Sequence, residues 1–478
     1  MSLIDQTGSK TDRWSVSSVG QALRNTVRKV WMIPVCVALV ACDTGAPQEP
    51  ATRAAVPDTK SLRAMKTFGP TRPSPPMRSN RDMTRDFLDL AFSLESGRDL
   101  NVFTRFEGPI TVRVTGTPVP TLVSDLDRLL ARLRNEAGIN VRRTNSSQAN
   151  ITIEAVTRAQ IQRQLPKAAC FVVPNIDKLS DYRRAKHNKA TNWGLLEKRE
   201  KLAIFLPSDS SPQEVRDCLH EELAQALGPL NDLYRLPDSV FNDDNVHTIL
   251  TGFDMLMLRA YYAPELRNGM SRGEVAARIP GILARYNPRG QNIAARYPSA
   301  TPRSWVKDIQ TALGPGTRPA QREKAAQNAL RTAEKAGWTD HRRAFSHFAL
   351  GRITQSSNTA FAKQQFQIAN RFYSQTPGAE LHRAYSASQL AAHAINEGNA
   401  KAALSLVNPQ IPVAKRYENA SLLATLLLLQ AEAMDMQGRA TEAHAARLDS
   451  IGWARYGFGA DWVIRAKLRE ISALSPRQ

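Results

Sequence analysis

Residues 218–228, CLHEELAQALG, finish a segment that begins SPQEVRD at residue 211, and their reading decides the first half of the chain. Ser211 is placed to cap a helix, Pro212 suits its first position, Glu214 its third, and Gly228 ends it. Within the helix, Val215, Cys218, Leu219, Glu222, Leu223 and Ala226 follow the three-four rhythm of a buried stripe. Glu222 therefore points inward. Glu221 and Gln225, four apart, project together beside it, while His220 lies around the helix toward Asp217 and Ala224. A carboxylate on an apolar stripe is costly unless it is paired or protonated. Glu222 thus requires either a polar partner inside the fold or a cleft at the helix surface.

The flanking sequence supplies that fold. MTRDFLDLAFSLE (83–95) has apolar residues at helical spacing, and TLVSDLDRLLARLRNEAG (121–138) is an amphipathic helix stopped by glycine. ITVRVTG (110–116), INVRRT (139–144), ANITIEAV (149–156), CFVVP (170–174) and REKLAIFLP (199–207) read as strands. Residues 83–286 are expected to form an α/β domain, helices packed on a mixed sheet.

The 218–228 helix resembles the zinc helix of the zincin metallopeptidases, in which two histidines four apart bind the metal and a glutamate beside the first is the general base. With the glutamate on Glu222 and the glycine on Gly228, the metal positions fall on Glu221, Gln225 and Asn231, with Asp232 adjacent. Shifting the frame to His220 makes Glu221 the base, but Ala224 replaces the second ligand and the glycine falls out of step. The first frame has the geometry without the chemistry, because zinc favours imidazole and thiolate, and glutamate, glutamine and asparagine at best hold a hard cation weakly. DSVFNDDN (238–245) resembles the turn that carries a methionine beneath the zinc in metzincins, with Phe241 in that place. TGFDMLMLRAYYAPELRNGM (251–270) resembles the helix that follows it, with Asp254, Tyr261 and Tyr262. Together with FTRFEGPITVRVTG (103–116) and the C-terminal DSIGWARYGFG (449–459), these stretches are similar to the proteobacterial domain-of-unknown-function family 2927. That resemblance implies a lipoprotein with a zincin-like domain followed by a helical region, and brings no established activity. Glu221, Glu222, Gln225, Asn231 and Asp232 are the degenerate active-site positions it implies. Asp243, Asp244 and His247 add donors near the same cleft, although NDDN (242–245) reads first as a solvated turn and His247 as a surface or capping histidine. No metal or cofactor is assigned; a weak or atypical metal site stays open.

The N-terminal region carries Arg24, Arg28 and Lys29 ahead of an apolar run at 30–41, too short to span a bilayer and suited to a secretory signal. Leu39, Val40, Ala41 and Cys42 resemble a bacterial lipobox, so residues 1–42 are expected to be a signal peptide with Cys42 lipidated. Asp43 resembles the signal for retention in the inner membrane, facing the periplasm, with the outer membrane as the alternative. From 43 to 82 the chain is proline-rich and poor in large apolar residues, and is expected to be a disordered tether. With Cys36 leaving in the signal, Cys170 and Cys218 remain. An oxidising compartment allows them to pair, for about 3–4 kcal/mol, or they stay as two buried thiols.

Prolines recur through the linker, 287–302, and strand signals then stop. In the 303–478 segment, SSNTAFAKQQFQIA, EGNAKAALSLV and QGRATEAHAARL share a turn followed by an alanine: Ser357 to Ala362, Gly398 to Ala403, Gly438 to Ala443. The period of about 40 residues resembles tetratricopeptide-type helical repeats, whose stacked helices hold a partner protein. The 64 basic and 44 acidic residues give a net charge of +20, but the basic residues are scattered and no nucleic-acid motif accompanies them. No phosphate loop or nucleophile elbow is present either. The sequence thus points to a membrane-anchored binding or scaffold protein. The alternatives are an atypical hydrolase using Glu222 as base and a purely structural envelope protein.

Overall fold

The computed structural model describes residues 64–71 and 73–476. The apolar run, the lipobox with Cys42 and the first part of the proline-rich segment lie outside the described residues. Five strands, β1 (Ile110–Gly116), β2 (Val141–Arg143), β3 (Ile151–Val156), β4 (Phe171–Pro174) and β5 (Leu202–Pro207), form one sheet in the order β2-β1-β3-β5-β4. All neighbours are parallel except β4, which runs antiparallel to β5 at the edge. The sheet is therefore mixed, as expected.

The unbroken apolar run of β5 follows from its position. Leu202, Ile204 and Leu206 face one layer of helices, and Ala203 and Phe205 face the other, so both sides of the strand are buried. The larger layer holds α1 (Asn80–Ala91), α2 (Leu122–Ala137), α5 (Pro212–Leu227), α6 (Gly252–Tyr261) and α7 (Arg272–Tyr286). The smaller holds α3 (Arg158–Gln164) and α4 (Leu179–Ala185), short helices in polar sequence that periodicity did not reveal. Cys170 and Cys218 are joined in a disulfide, Cα atoms 5.9 Å apart, which ties the start of β4 to α5. Closing a loop of 48 residues contributes about 4 kcal/mol in the chain-entropy view.

After a linker at 287–302 the chain is all helical: α8 (Arg303–Leu313), α9 (Pro319–Lys335), α10 (His341–Thr354), α11 (Thr359–Gln375), α12 (Glu380–Asn396), α13 (Ala400–Val407), α14 (Ile411–Arg416), α15 (Ala420–Asp435), α16 (Ala440–Phe458) and α17 (Asp461–Ser472). The turn-alanine signal marks the second helix of three pairs. Ala362, Ala403 and Ala443 are fully buried on α11, α13 and α16. Gly398 and Gly438 turn the chain into α13 and α16 with φ of 76° and 75°, which favours glycine. Among the described residues no helix is long and apolar enough to cross a membrane.

The helical region is fastened to the α/β part through buried polar contacts. Arg216 on α5, 2% exposed, bonds the Glu418 carboxylate at 3.0 Å and also its carbonyl, and its guanidinium lies 5.5 Å from the Phe68 ring and 5.1 Å from that of Tyr456. Gln213 bonds Asn419 and Ser421 at the start of α15. Tyr456 donates to Asp125 on α2 at 2.9 Å. The stretch 449–459 thus serves as a docking edge: a Cβ on Gly457 would stand 2.5 Å from the Ser421 nitrogen, so only glycine lets α16 approach α15 this closely.

The described part of the proline-rich segment, 64–71 and 73–79, has no helix or strand, but it packs on the folded body. Phe68 stacks on Trp453 at 4.5 Å, its carbonyl accepts from Arg128, Lys66 pairs with Asp449, and Arg78 pairs with Asp86 and Asp238. The segment straps the seam between the two parts. Proline limits its chain entropy, and a few anchors suffice to hold it.

Candidate functional site

The helix α5 positions the candidate residues, and both its ends are fixed. Ser211 Oγ accepts from the Glu214 amide and Pro212 opens the first turn, as its sequence required. At the other end Arg199, 3% exposed, donates to the carbonyls of Gln225, Ala226 and Gly228, and Tyr262 donates to that of Leu227 at 2.9 Å. A guanidinium at a helix C-terminus meets both the orphan carbonyls and the negative end of the dipole.

The predicted stripe Val215, Cys218, Leu219, Glu222, Leu223 and Ala226 is buried. Burial extends further around the helix than its periodicity showed, because the helical region covers the opposite face. His220, 5% exposed, accepts the Leu250 amide on Nδ1 at 3.0 Å. Burial, and then Arg132 and Arg216, hold its pKa well below the usual imidazole value, so it is a neutral structural residue.

Glu222 is 5% exposed, and its Oε2 has no hydrogen-bond partner. Gln225, one turn on along the same face, donates to Glu95 in the loop after α1 at 3.5 Å. Asn231 donates to the Asp89 carbonyl at 3.0 Å, and Asp232 carries a buried oxygen without a partner. Asp243 accepts from Tyr234 at 2.9 Å and from Gln310 of α8 at 3.2 Å. Glu95, Asp232 and Asp243 line one cavity of about 610 Å³, whose opposite wall is α8, with Arg303, Val306, Lys307 and Gln310. The five predicted positions thus gather at and beside a cleft that the helical region completes.

Crowding of carboxyl groups decides the electrostatics. Burial, then the charges of Glu221 and Glu95, push Glu222 well above the carboxylate range. Burial, then Glu95 and Glu221, do the same to Asp232. Burial, with Glu95 and Asp243 close by, raises Glu221 to about 7. None of Glu95, Glu221, Glu222, Asp232 and Asp243 forms an ion pair among the described residues.

Residues 80–281 match the family model described as protein of unknown function (DUF2927). The match runs from the first residue of α1 into α7, covering the sheet, α5 and the acidic side of the cleft, and supports the family resemblance of the sequence. No curated protein matches the chain.

The donor set does not fit the zinc that a zincin helix would carry. Gln225 occupies one imidazole position and spends its amide on Glu95. Among the described residues no three histidine, cysteine, aspartate or glutamate side chains are grouped to hold a metal ion. Phe241, at the methionine's place in the turn, is fully buried. Asp254 is a capping residue of α6, accepting from Ser239, Val240 and Thr251, and burial pushes it up to about 6.

Two expectations for the 242–247 stretch are corrected. NDDN is not a solvated turn: Asn242 donates to the Leu236 carbonyl, and Asp244, 2% exposed, accepts from His382 of α12 at 2.6 Å. His247 is not at the surface but 4% exposed, its Nε2 2.9 Å from the Pro237 carbonyl. His382 of α12 packs against both, and Tyr417 against His247, covering that no local pattern encodes. Glu95 and Gln310 were missed because each joins the cleft from a distant segment, whereas Tyr234, two residues beyond Asp232, was missed because no local pattern marks its hydroxyl as a partner of Asp243.

Proposed function

We propose that the chain is an exported, lipid-anchored envelope protein in which a degenerate zincin-like domain serves binding rather than hydrolysis. Cys42 would carry the lipid, with the inner membrane as the site of anchoring and the folded body in the periplasm. The Cys170–Cys218 bridge supports an oxidising compartment. The observation that carries the binding reading is the pairing of Gln225 with Glu95: the position that would need an imidazole holds an amide committed to a neighbouring carboxyl. The cleft is nonetheless roomy and kept open. Such a cavity, lined by convergent polar groups, is the usual form of a ligand site.

The tetratricopeptide-like helical region has two roles in this proposal. The first helices of its pairs face the α/β part, through Gln310 of α8, His341 of α10, His382 of α12 and Ser421 of α15. A protein partner would therefore dock on the outer helices α9, α11 and α13.

A second reading, hydrolysis with Glu222 as general base, draws on its upward-shifted carboxyl beside the cleft. Metal analysis of the purified full chain, with peptide hydrolysis compared between the native protein and Glu222→Gln, separates the two. The binding reading expects neither stoichiometric metal nor hydrolysis that depends on Glu222. Bound metal together with peptidase activity abolished by Glu222→Gln would overturn it.

A further inference from the structure

Residues 183–196, RRAKHNKATNWGLL, close α4 and form the loop beyond it, and they carry four basic side chains and no acidic one. Arg183, Arg184, Lys186 and Lys189 are all exposed. Among the described residues Arg184 pairs with Asp181, while Arg183, Lys186 and Lys189 form no ion pair. The acids on the flanks are spent elsewhere: Asp177 pairs with Lys201 and Arg113, and Glu200 with Lys198. Among the described residues this leaves only Glu197 uncommitted between 177 and 200.

The loop is fixed rather than free to fold its charges away. Asn188 and Asn192 each accept from the amide two residues on, at 3.1 and 3.0 Å, closing single turns at Lys189–Thr191 and Trp193–Leu195. Asn175, just after β4, donates to the Ala190 carbonyl at 2.8 Å. Trp193 packs against the core, with the Arg199 guanidinium 5.3 Å from its ring. Leu195 nonetheless stands 56% exposed, six residues beyond Lys189. A leucine held in water forgoes its hydrophobic gain, and like charges crowded on one loop repel. An anionic bilayer relieves both, since its head groups meet the cations and its acyl boundary receives the apolar side chain. A soluble polyanion meets the charge and leaves Leu195 in water.

We infer that the 183–196 loop docks on an anionic lipid surface, with Arg183, Lys186 and Lys189 on the head groups and Leu195 at the acyl boundary. The inference rests on the lipid-anchored reading above, which brings a membrane within reach, and gives the folded body its own contact with that membrane.

The test places an environment-sensitive thiol dye at Leu195→Cys in the full chain, reconstituted in vesicles of phosphatidylcholine alone or with about one third phosphatidylglycerol. The same dye at Ala360→Cys, exposed on α11, is the control. The dye at 195 is expected to brighten at least twofold and shift to the blue in the anionic vesicles only. In about 0.5 M salt, where charges are screened within about 4 Å, that response should be lost. The dye at 360 should not change. Lys186→Gln together with Lys189→Gln should lower the ratio of docked to undocked loop about 25-fold, since each cation at an anionic surface contributes about fivefold. Both lysines are exposed, so thermal unfolding of the variant should match the native protein. Equal signals from position 195 in the two vesicles, equal responses at 195 and 360, a response that survives loss of both lysines, or one given by soluble heparin and not by anionic vesicles would each overturn the inference. The anchor reading fails on a different result, labelling of Cys42 by the dye in the native chain; the vesicle comparison is then made in a Cys36→Ser, Cys42→Ser background.

Discussion

Replacing Glu221 by glutamine should stabilise the protein, and only above a definite pH. The folded state raises the Glu221 carboxyl from 4.5 to about 7, first through burial and then through Glu95 and Asp243. In the unfolded chain the same group loses its proton near 4.5. Between these values the folded state binds more protons than the unfolded one, so stability is full below pH 4.5 and falls as pH rises through 7. A shift of roughly 2.5 units corresponds to about 3 kcal/mol, and the partial exposure of Glu221 reduces this to about 2–3. Glutamine has no proton to lose, and it removes a charge that also perturbs Glu222 and Asp232. Urea unfolding at pH 5, 6, 7 and 8 is the assay. Glu221→Gln should lie within about 1 kcal/mol of the native protein at pH 5 and exceed it by about 2–3 kcal/mol at pH 8, with unchanged m values. Asp254, raised to about 6, contributes the same downward slope to both proteins and cancels in the difference. Parallel stability curves, or a native protein that gains stability from pH 5 to 8, would refute the reasoning. The expected result would mean that the cleft keeps carboxyls which the fold alone would be better without, the trade expected of a working site.

Other outcomes follow from the same contacts. Breaking the bridge with Cys170→Ala and Cys218→Ala together should cost up to about 4 kcal/mol of unfolding free energy, read by urea titration against the oxidised protein. Glu418→Ala leaves the Arg216 guanidinium buried without its carboxylate, and should destabilise by about 3–5 kcal/mol. Gly457→Ala forces α16 off α15 at a cost of about 1–3 kcal/mol, and limited proteolysis should then separate the helical region from the α/β part. Arg199→Ala should lower stability by about 3 kcal/mol, with faster amide exchange confined to the last turn of α5, because three carbonyls lose a donor there.

Much of the fold was legible because its signals are local. The cap at Ser211, the stop at Gly228, the alternation in β1 and the apolar run of β5 each state a conformation within a few residues. The turn-alanine marks did the same for the helical pairs. The candidate site was half legible. Helical spacing placed Glu221, Glu222 and Gln225 correctly on α5, but their surroundings come from afar: Glu95 from the loop after α1, Gln310 from a helix 85 residues beyond Gln225. Asp244 and His247 read as surface residues because what buries them, His382 and its neighbours, belongs to another part of the chain. Polar residues are recognised as buried only once the element that covers them is known.

The strap at 64–79 has a mechanical consequence. If the chain is tethered through Cys42, any pull from the lipid enters the folded body at Lys66, Phe68 and Arg78, which grip α16 on one side and α1 with the 238 turn on the other. Load would arrive first at the seam between the α/β part and the helical region, as shear on these few side-chain anchors, before it reached the sheet.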